Sequence, residues 1–168
     1  MSLKILKWPD ASLEFPSGPV EEFNESLEVL VQNMFEIMRK NYGTGLAAIQ
    51  IGNPARIFVM SVYRGERRSD EQVAFINPVV EEVSTHMALA QEGCLSMPNV
   101  FQSIPRPNWV KGHAYRVDGT RFEFEYADHE ARCILHEMDH LDGILMTKHM
   151  NRLQRRTTEK MLRASRGK

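Results

Sequence analysis

The chain of 168 residues holds only two cysteines, too few for the disulfide framework of a small secreted domain. No run of apolar residues approaches the ~20 needed to span a bilayer, and no charged leader with an apolar stretch and cleavage site opens it. A cytoplasmic protein with no membrane partner is the expectation. Internal repeats and low-complexity tracts are missing. Gly43 and Gly45 mark a tight stretch, but no Lys-Ser/Thr follows to complete a phosphate-binding loop. Aromatic residues make up 8% of the chain, and Trp8, Tyr42 and Trp109 read as packing residues rather than stacking platforms for bases, so DNA is not an expected partner.

What is present suffices for a folded core, at 42% hydrophobic. The formal charge of −1 is unevenly spread. Residues 151–168 carry Arg152, Arg155, Arg156, Lys160, Arg163, Arg166 and Lys168 against Glu159 alone, so the rest of the chain is acidic. Such a tail is either a solvated basic helix end or an attachment to an acidic surface such as RNA.

The pattern of elements predicts an α+β fold. Through Pro19 the chain reads as an irregular arm. Apolar residues at Phe23, Leu27, Leu30, Val31, Met34, Phe35 and Met38 recur at three and four, which predicts an amphipathic helix over 21–40. Strands are expected at 56–62 and 72–84, with a polar loop over 64–70 between them. Pro78 suits an edge or a bulge better than a central ladder. Asp118-Gly119 predicts a hairpin between 110–117 and 120–126. Asp128 is placed to cap a helix from His129, with Gly143 to stop it, and a second helix is expected from about Asn151.

The sharpest signal is His136-Glu137-Met138-Asp139-His140. Side chains four apart on a helix project from one face a turn apart, so two imidazoles can grip one metal while Glu137 turns toward its water. A catalytic metal of this type takes a third protein ligand and keeps one position open. A third histidine six residues on is excluded, because that position is Met146. Glu159, downstream on another helix, and Cys94, among small and turn-forming residues, both remain candidates by spacing. Cys133 reads as a small hydrophobe one turn before His136.

Three segments together resemble the peptide deformylase family. They are Gly43-Thr44-Gly45-Leu46-Ala47-Ala48-Ile49-Gln50, Glu92-Gly93-Cys94-Leu95-Ser96 and His136 to His140, in that order. The resemblance implies one catalytic domain over 1–168, with antiparallel sheet pieces packed around a central helix bearing H-E-x-x-H, and 151–168 as a basic C-terminal helix or tail. It implies Cys94, His136 and His140 as ligands of one divalent metal, Fe²⁺ in the cell, with Zn²⁺, Ni²⁺ or Co²⁺ as substitutes. Glu137 is implied as general base and then acid, with Gln50 and the Leu95 N–H as donors to the oxyanion.

The substrate implied is the N-formyl-methionyl end of a nascent polypeptide. Gly43, Thr44 and Gly45 would meet it, Glu92 and Gly93 would support the cysteine loop, and Leu95, Cys133 and the stem of Arg132 would line a methionine pocket. Contact with the ribosome through the basic tail is expected. Phe101 and Leu135 stand where many family members carry arginine and glutamine, and 12–15 lacks a usual arginine of the arm, whereas Arg106 matches a later family arginine.

Overall fold

The computed structural model describes residues 4–64 and 67–165, and for 64 and 67–70 the backbone alone. After the arm and a 3-10 turn at Ala11–Glu14 comes helix α1, Glu25–Lys40. It starts four residues later than its periodicity suggested, because Asn24 caps it: its Oδ1 accepts the Leu27 N–H at 3.1 Å. Strand β1 (Gly45–Ala47) runs into a 3-10 turn (Ala48–Ile51), followed by β2 (Ile57–Arg64), β3 (Arg67–Val83), β4 (Met87–Cys94), β5 (Met97–Pro107), β6 (Trp109–Tyr115) and β7 (Arg121–Ala127). Helices α2 (Asp128–Leu141) and α3 (Arg152–Ser165) complete the chain.

Two antiparallel sheets result, one of five strands in the order β1-β2-β3-β6-β7 and a separate β4-β5 hairpin. The large sheet is covered on both faces, and β2 shows why. Its Phe58 and Met60 face a cluster with Phe75, Phe124, Ala131 and Ile134, where α2 packs. Ile57 and Val59 alternate to the other face, against Leu27, Val31, Met34 and Met38 of α1. All four side chains are fully buried. A strand enclosed on both sides reads as a continuous apolar run, as this one does. On β7 the alternation is the ordinary one: Phe124 is buried while Glu123 and Glu125 are wet. A third cluster joins the β4-β5 hairpin to the arm and α3 through Trp8, Leu13, Val100, Ile104 and Leu162.

Several local expectations need correction. Of the polar loop expected over 64–70, residues 64 and 67–70 instead continue β2 and β3, with Arg64 opposite Arg67, because backbone pairing needs no apolar pattern; 65–66 lie outside the described residues. Pro78 takes the second of its two expected places: β3 is not an edge strand, but the proline lies within the register shift between Ile76 and Val79, which spares the ladder its missing N–H. Asp128 does not cap α2. It has φ +52° inside the first turn, Ala127 holds the cap position, and no side chain closes that end. Gly143 does stop the helix, at φ +70°. The stretch 97–107, to which the sequence assigned no element, forms the long strand β5.

The α+β architecture with α2 between the sheets and a C-terminal helix is as expected, but defining its centre by the H-E-x-x-H helix motif is not. The metal-ligand group is Cys94, His136 and His140, so one donor comes from the hairpin and Glu137 is not a donor. A helix offers two imidazoles on one face, and the third direction must be closed from another element.

Candidate metal centre

Cys94 ends β4 just before the tight turn Leu95-Ser96, and that turn drives its sulfur toward the buried face of α2. The ligand atoms of Cys94, His136 and His140 all lie within 4.8 Å of one another, and Cys94 Sγ stands 3.2 Å from His140 Nε2. His136 Nδ1 contacts Glu92 Oε1 at 2.7 Å, which leaves its Nε2 as the free donor atom. A buried thiolate with two imidazoles suits a divalent transition metal such as Fe²⁺ or Zn²⁺, and not Mg²⁺ or Ca²⁺. The group can hold one divalent metal ion.

Burial alone would hold the Cys94 thiol protonated, but the positive potential and hydrogen bonds of His140 and His136 carry it well below its ordinary value. Around Glu92 the same contest ends the same way. Burial is outweighed by hydrogen bonds from His136 and Arg106, so the carboxyl stays ionised. Glu92 accepts from Arg106 Nη2 at 2.7 Å and Nε at 3.0 Å, and from Arg132 Nη1 at 3.2 Å. Arg106 continues to Asp139 at 2.6 Å, and Asp139 to His149 at 2.7 Å.

Glu137 differs from Glu92. Burial is the largest influence on it and pushes its carboxyl up to about 7, against the pull of His136 and His140. Its Oε2 is buried without a hydrogen-bond partner, as is His140 Nδ1. An unpartnered carboxylate oxygen beside a metal-ligand group is aimed at whatever the site binds.

The remaining candidates surround a cleft of about 570 Å³. Gln50 is fully enclosed: its Oε1 accepts from the Ala47 N–H at 2.8 Å, and its Nε2 faces Ser96 Oγ at 3.1 Å and Cys94 Sγ at 3.7 Å. Gly43, Thr44 and Gly45 form one wall, at the free edge of the five-stranded sheet. A side chain on Gly45 would meet the Glu137 carboxylate and Cys133 Sγ, and one on Gly43 would strike Leu95. Cys133 is half-buried beside Glu137; desolvation of its thiol most of all, and the Glu137 charge, raise its pKa, and it forms no disulfide with Cys94. Arg132 lines the cleft while its guanidinium is committed to the Ala88 and Ile104 carbonyls at 2.7 Å each. Gly93 and Leu95 complete the wall.

Gly43, Thr44, Gly45, Gln50, Cys94, His136 and Glu137 thus share the cleft lining, and His140 joins them through the metal-ligand group, whereas Glu159 is in neither. That carboxylate pairs with Arg155 on α3 at 2.9 Å and is not in the metal group among the described residues. A family profile described as Polypeptide deformylase matches residues 2–156. The chain belongs to the peptide deformylase family. The peptide deformylase of Novosphingobium aromaticivorans is 34% identical, over 95% of this chain and 94% of its own. That of Rhodopseudomonas palustris is 39% identical over 90% and 87%. Among solved structures, the peptide deformylase from Ehrlichia chaffeensis superposes with a TM-score of 0.91 at 32% identity, covering 99% of this chain and 97% of that one.

The sequence carried no signal for the contacts that the N-terminal arm makes with the site. Lys7 donates to the Leu95 carbonyl at 2.5 Å, and the Leu6 and Trp8 N–H groups donate to the Gln50 and Ser96 carbonyls at 2.7 and 2.9 Å. The arm therefore ties together the two segments that bear Gln50 and Leu95. An irregular segment has no periodicity from which such stitching can be read. Tyr42, read as a packing residue, is 90% exposed at the cleft mouth. Trp8 is buried, as expected.

Proposed function

We propose that the chain hydrolyses the formamide at the N-terminal methionine of newly synthesised polypeptides, releasing formate, with Glu137 as the proton carrier. Membership of the peptide deformylase family supports the reaction. The observation that carries the residue assignment is the buried, unpartnered Oε2 of Glu137 beside the Cys94–His136–His140 group.

A divalent metal held by those three residues would supply an acidified water and a polarised carbonyl. Fe²⁺ is the assignment in the cell, with Zn²⁺, Ni²⁺ or Co²⁺ able to replace it, since thiolate and imidazole suit all four. Glu137 takes the proton of the attacking water and returns it to the departing amine, and a carboxyl pushed toward neutrality by burial is matched to both duties. Gln50 Nε2 is held facing the ligand sulfur, where it and the Leu95 N–H donate to the formyl oxygen as charge builds. Loss of one such donor costs roughly 3 kcal/mol of barrier.

Gly43 and Thr44 lead into edge strand β1, which Gly45 begins, and this backbone meets the substrate; the missing side chains at 43 and 45 allow its close approach. Leu95, Cys133 and the Arg132 stem face the methionine side chain. Glu92 and Gly93 shape the segment that carries Cys94. We assign 1–168 to one catalytic domain acting in the cytoplasm. No described helix is long and apolar enough to cross a membrane. The exposed basic side chains of α3 are assigned to ribosome contact; Arg166 and Lys168 lie outside the described residues.

The test is formate release from a short N-formyl-methionyl peptide by protein loaded anaerobically with Fe²⁺ or with Ni²⁺. Turnover that depends on the metal supports the assignment, and none with either metal overturns it.

A further inference from the structure

The outward face of the β4-β5 hairpin is unusual for a solvated sheet. Its register sets Met87 opposite Pro107, Leu89 opposite Pro105, Gln91 opposite Ser103 and Gly93 opposite Phe101. None of these eight residues is charged, in a chain that is 26% charged. Met87, Leu89 and Phe101 are 51, 70 and 66% exposed. The inward positions Glu92, Val100, Ile104 and Arg106 are buried against α2, α3 and the arm, so the hairpin has already packed its core face. The outward side of an antiparallel pair is ordinarily polar, and an exposed apolar strip beside a site marks a binding surface.

One end of the strip belongs to the cleft. Gln91, Gly93 and Phe101 line it, and Gly93 immediately precedes the ligand Cys94. A Cβ on Gly93 would lie 2.7 Å from Phe101 Cε1, so the ring leans over the glycine backbone. That posture holds the ring at the mouth of the cleft.

We propose that this strip receives the second and third residues of the formylated chain and selects apolar or aromatic side chains there, with Phe101 as the principal contact. The inference rests on the deformylase reading of the cleft. A substrate methionine in the cleft leaves its following residues at the mouth, and the strip is the continuous surface running outward from there. It offers van der Waals surface and no cation to an acidic side chain.

The test compares kcat/KM for formyl-Met-Leu-Phe and formyl-Met-Asp-Glu, with formyl-Met-Ser-Ser between them. The expected preference is about tenfold or more for the apolar peptide over the acidic one, carried mainly by KM. Phe101→Ser brings the ratio near one, and Phe101→Leu keeps most of it. A ratio near one in the unaltered protein, with good formate release from all three peptides, overturns the inference and leaves the deformylase reading standing. Release from none overturns both. A concentration-dependent dimer in sedimentation that Phe101→Ser and Leu89→Ser each abolish would assign the strip to a second copy of the chain and overturn the inference.

Discussion

Glu92 Oε1 sits 2.7 Å from His136 Nδ1 and joins two ends of the site that are 44 residues apart in the chain. The contact orients the imidazole toward Cys94, while the same carboxylate is gripped by Arg106 and Arg132. Glu92→Ala is expected to weaken metal binding about 10–100-fold, read by competition with a chelator. It should also cost about 3 kcal/mol in denaturant unfolding, because two guanidinium groups lose a buried counter-charge. Metal affinity equal to the unaltered protein would remove Glu92 from this role.

Glu137→Gln should retain a full complement of metal and lose at least about 100-fold in formate release, since it keeps the shape and removes the proton carrier. Metal content and turnover measured on the same preparation decide this. Near-normal turnover would exclude Glu137.

In metal-free protein the same substitution should act on stability with a definite sign. The folded-state pKa of Glu137 is raised to about 7, so between its unfolded value and that pH the folded state binds the extra proton. Stability conferred relative to the ionised state is therefore lost as pH rises through this window. Glu137→Gln should stabilise metal-free protein at pH 8 by on the order of 3 kcal/mol, read as a higher melting temperature, and the difference should vanish below about pH 4. A difference that grows toward acid pH would contradict this.

Gly45→Ala places a methyl group against the Glu137 carboxylate and the Cys133 sulfur, both buried in the wall of the cleft. Activity should fall at least about tenfold, and stability by about 1–3 kcal/mol. Paired kinetics and denaturant unfolding measure the two, and an unaffected enzyme would show that the wall yields freely.

Ribosome association is best tested without deleting α3, because Leu162 is buried in the third core cluster and Arg163 lies over the Trp8 ring at 5.2 Å. Arg152→Gln, Arg156→Gln and Lys160→Gln together should weaken association and flatten its dependence on salt, with formate release from a free peptide retained. Unchanged binding across a salt series would separate the basic helix from the ribosome.

The helical repeat of α1, the alternation of β7, the Asp118-Gly119 turn and the turn-by-turn spacing of His136 and His140 were all legible in the sequence, because each is a local periodicity or a local backbone demand. Spacing could not choose between Cys94 and Glu159 as the third candidate ligand, since it does not say which distant segment reaches a helix face. Folding settles that through the third cluster: α3 packs against the hairpin's inner side with Leu162, while the Cys94 turn is brought to α2. The enclosure of Glu92 among His136, Arg106 and Arg132, and the stitching of Gln50 and Leu95 by the arm, are likewise tertiary. Hydrogen bonds and ion pairs between segments tens of residues apart depend on how surfaces meet, and side-chain order along the chain carries no record of that.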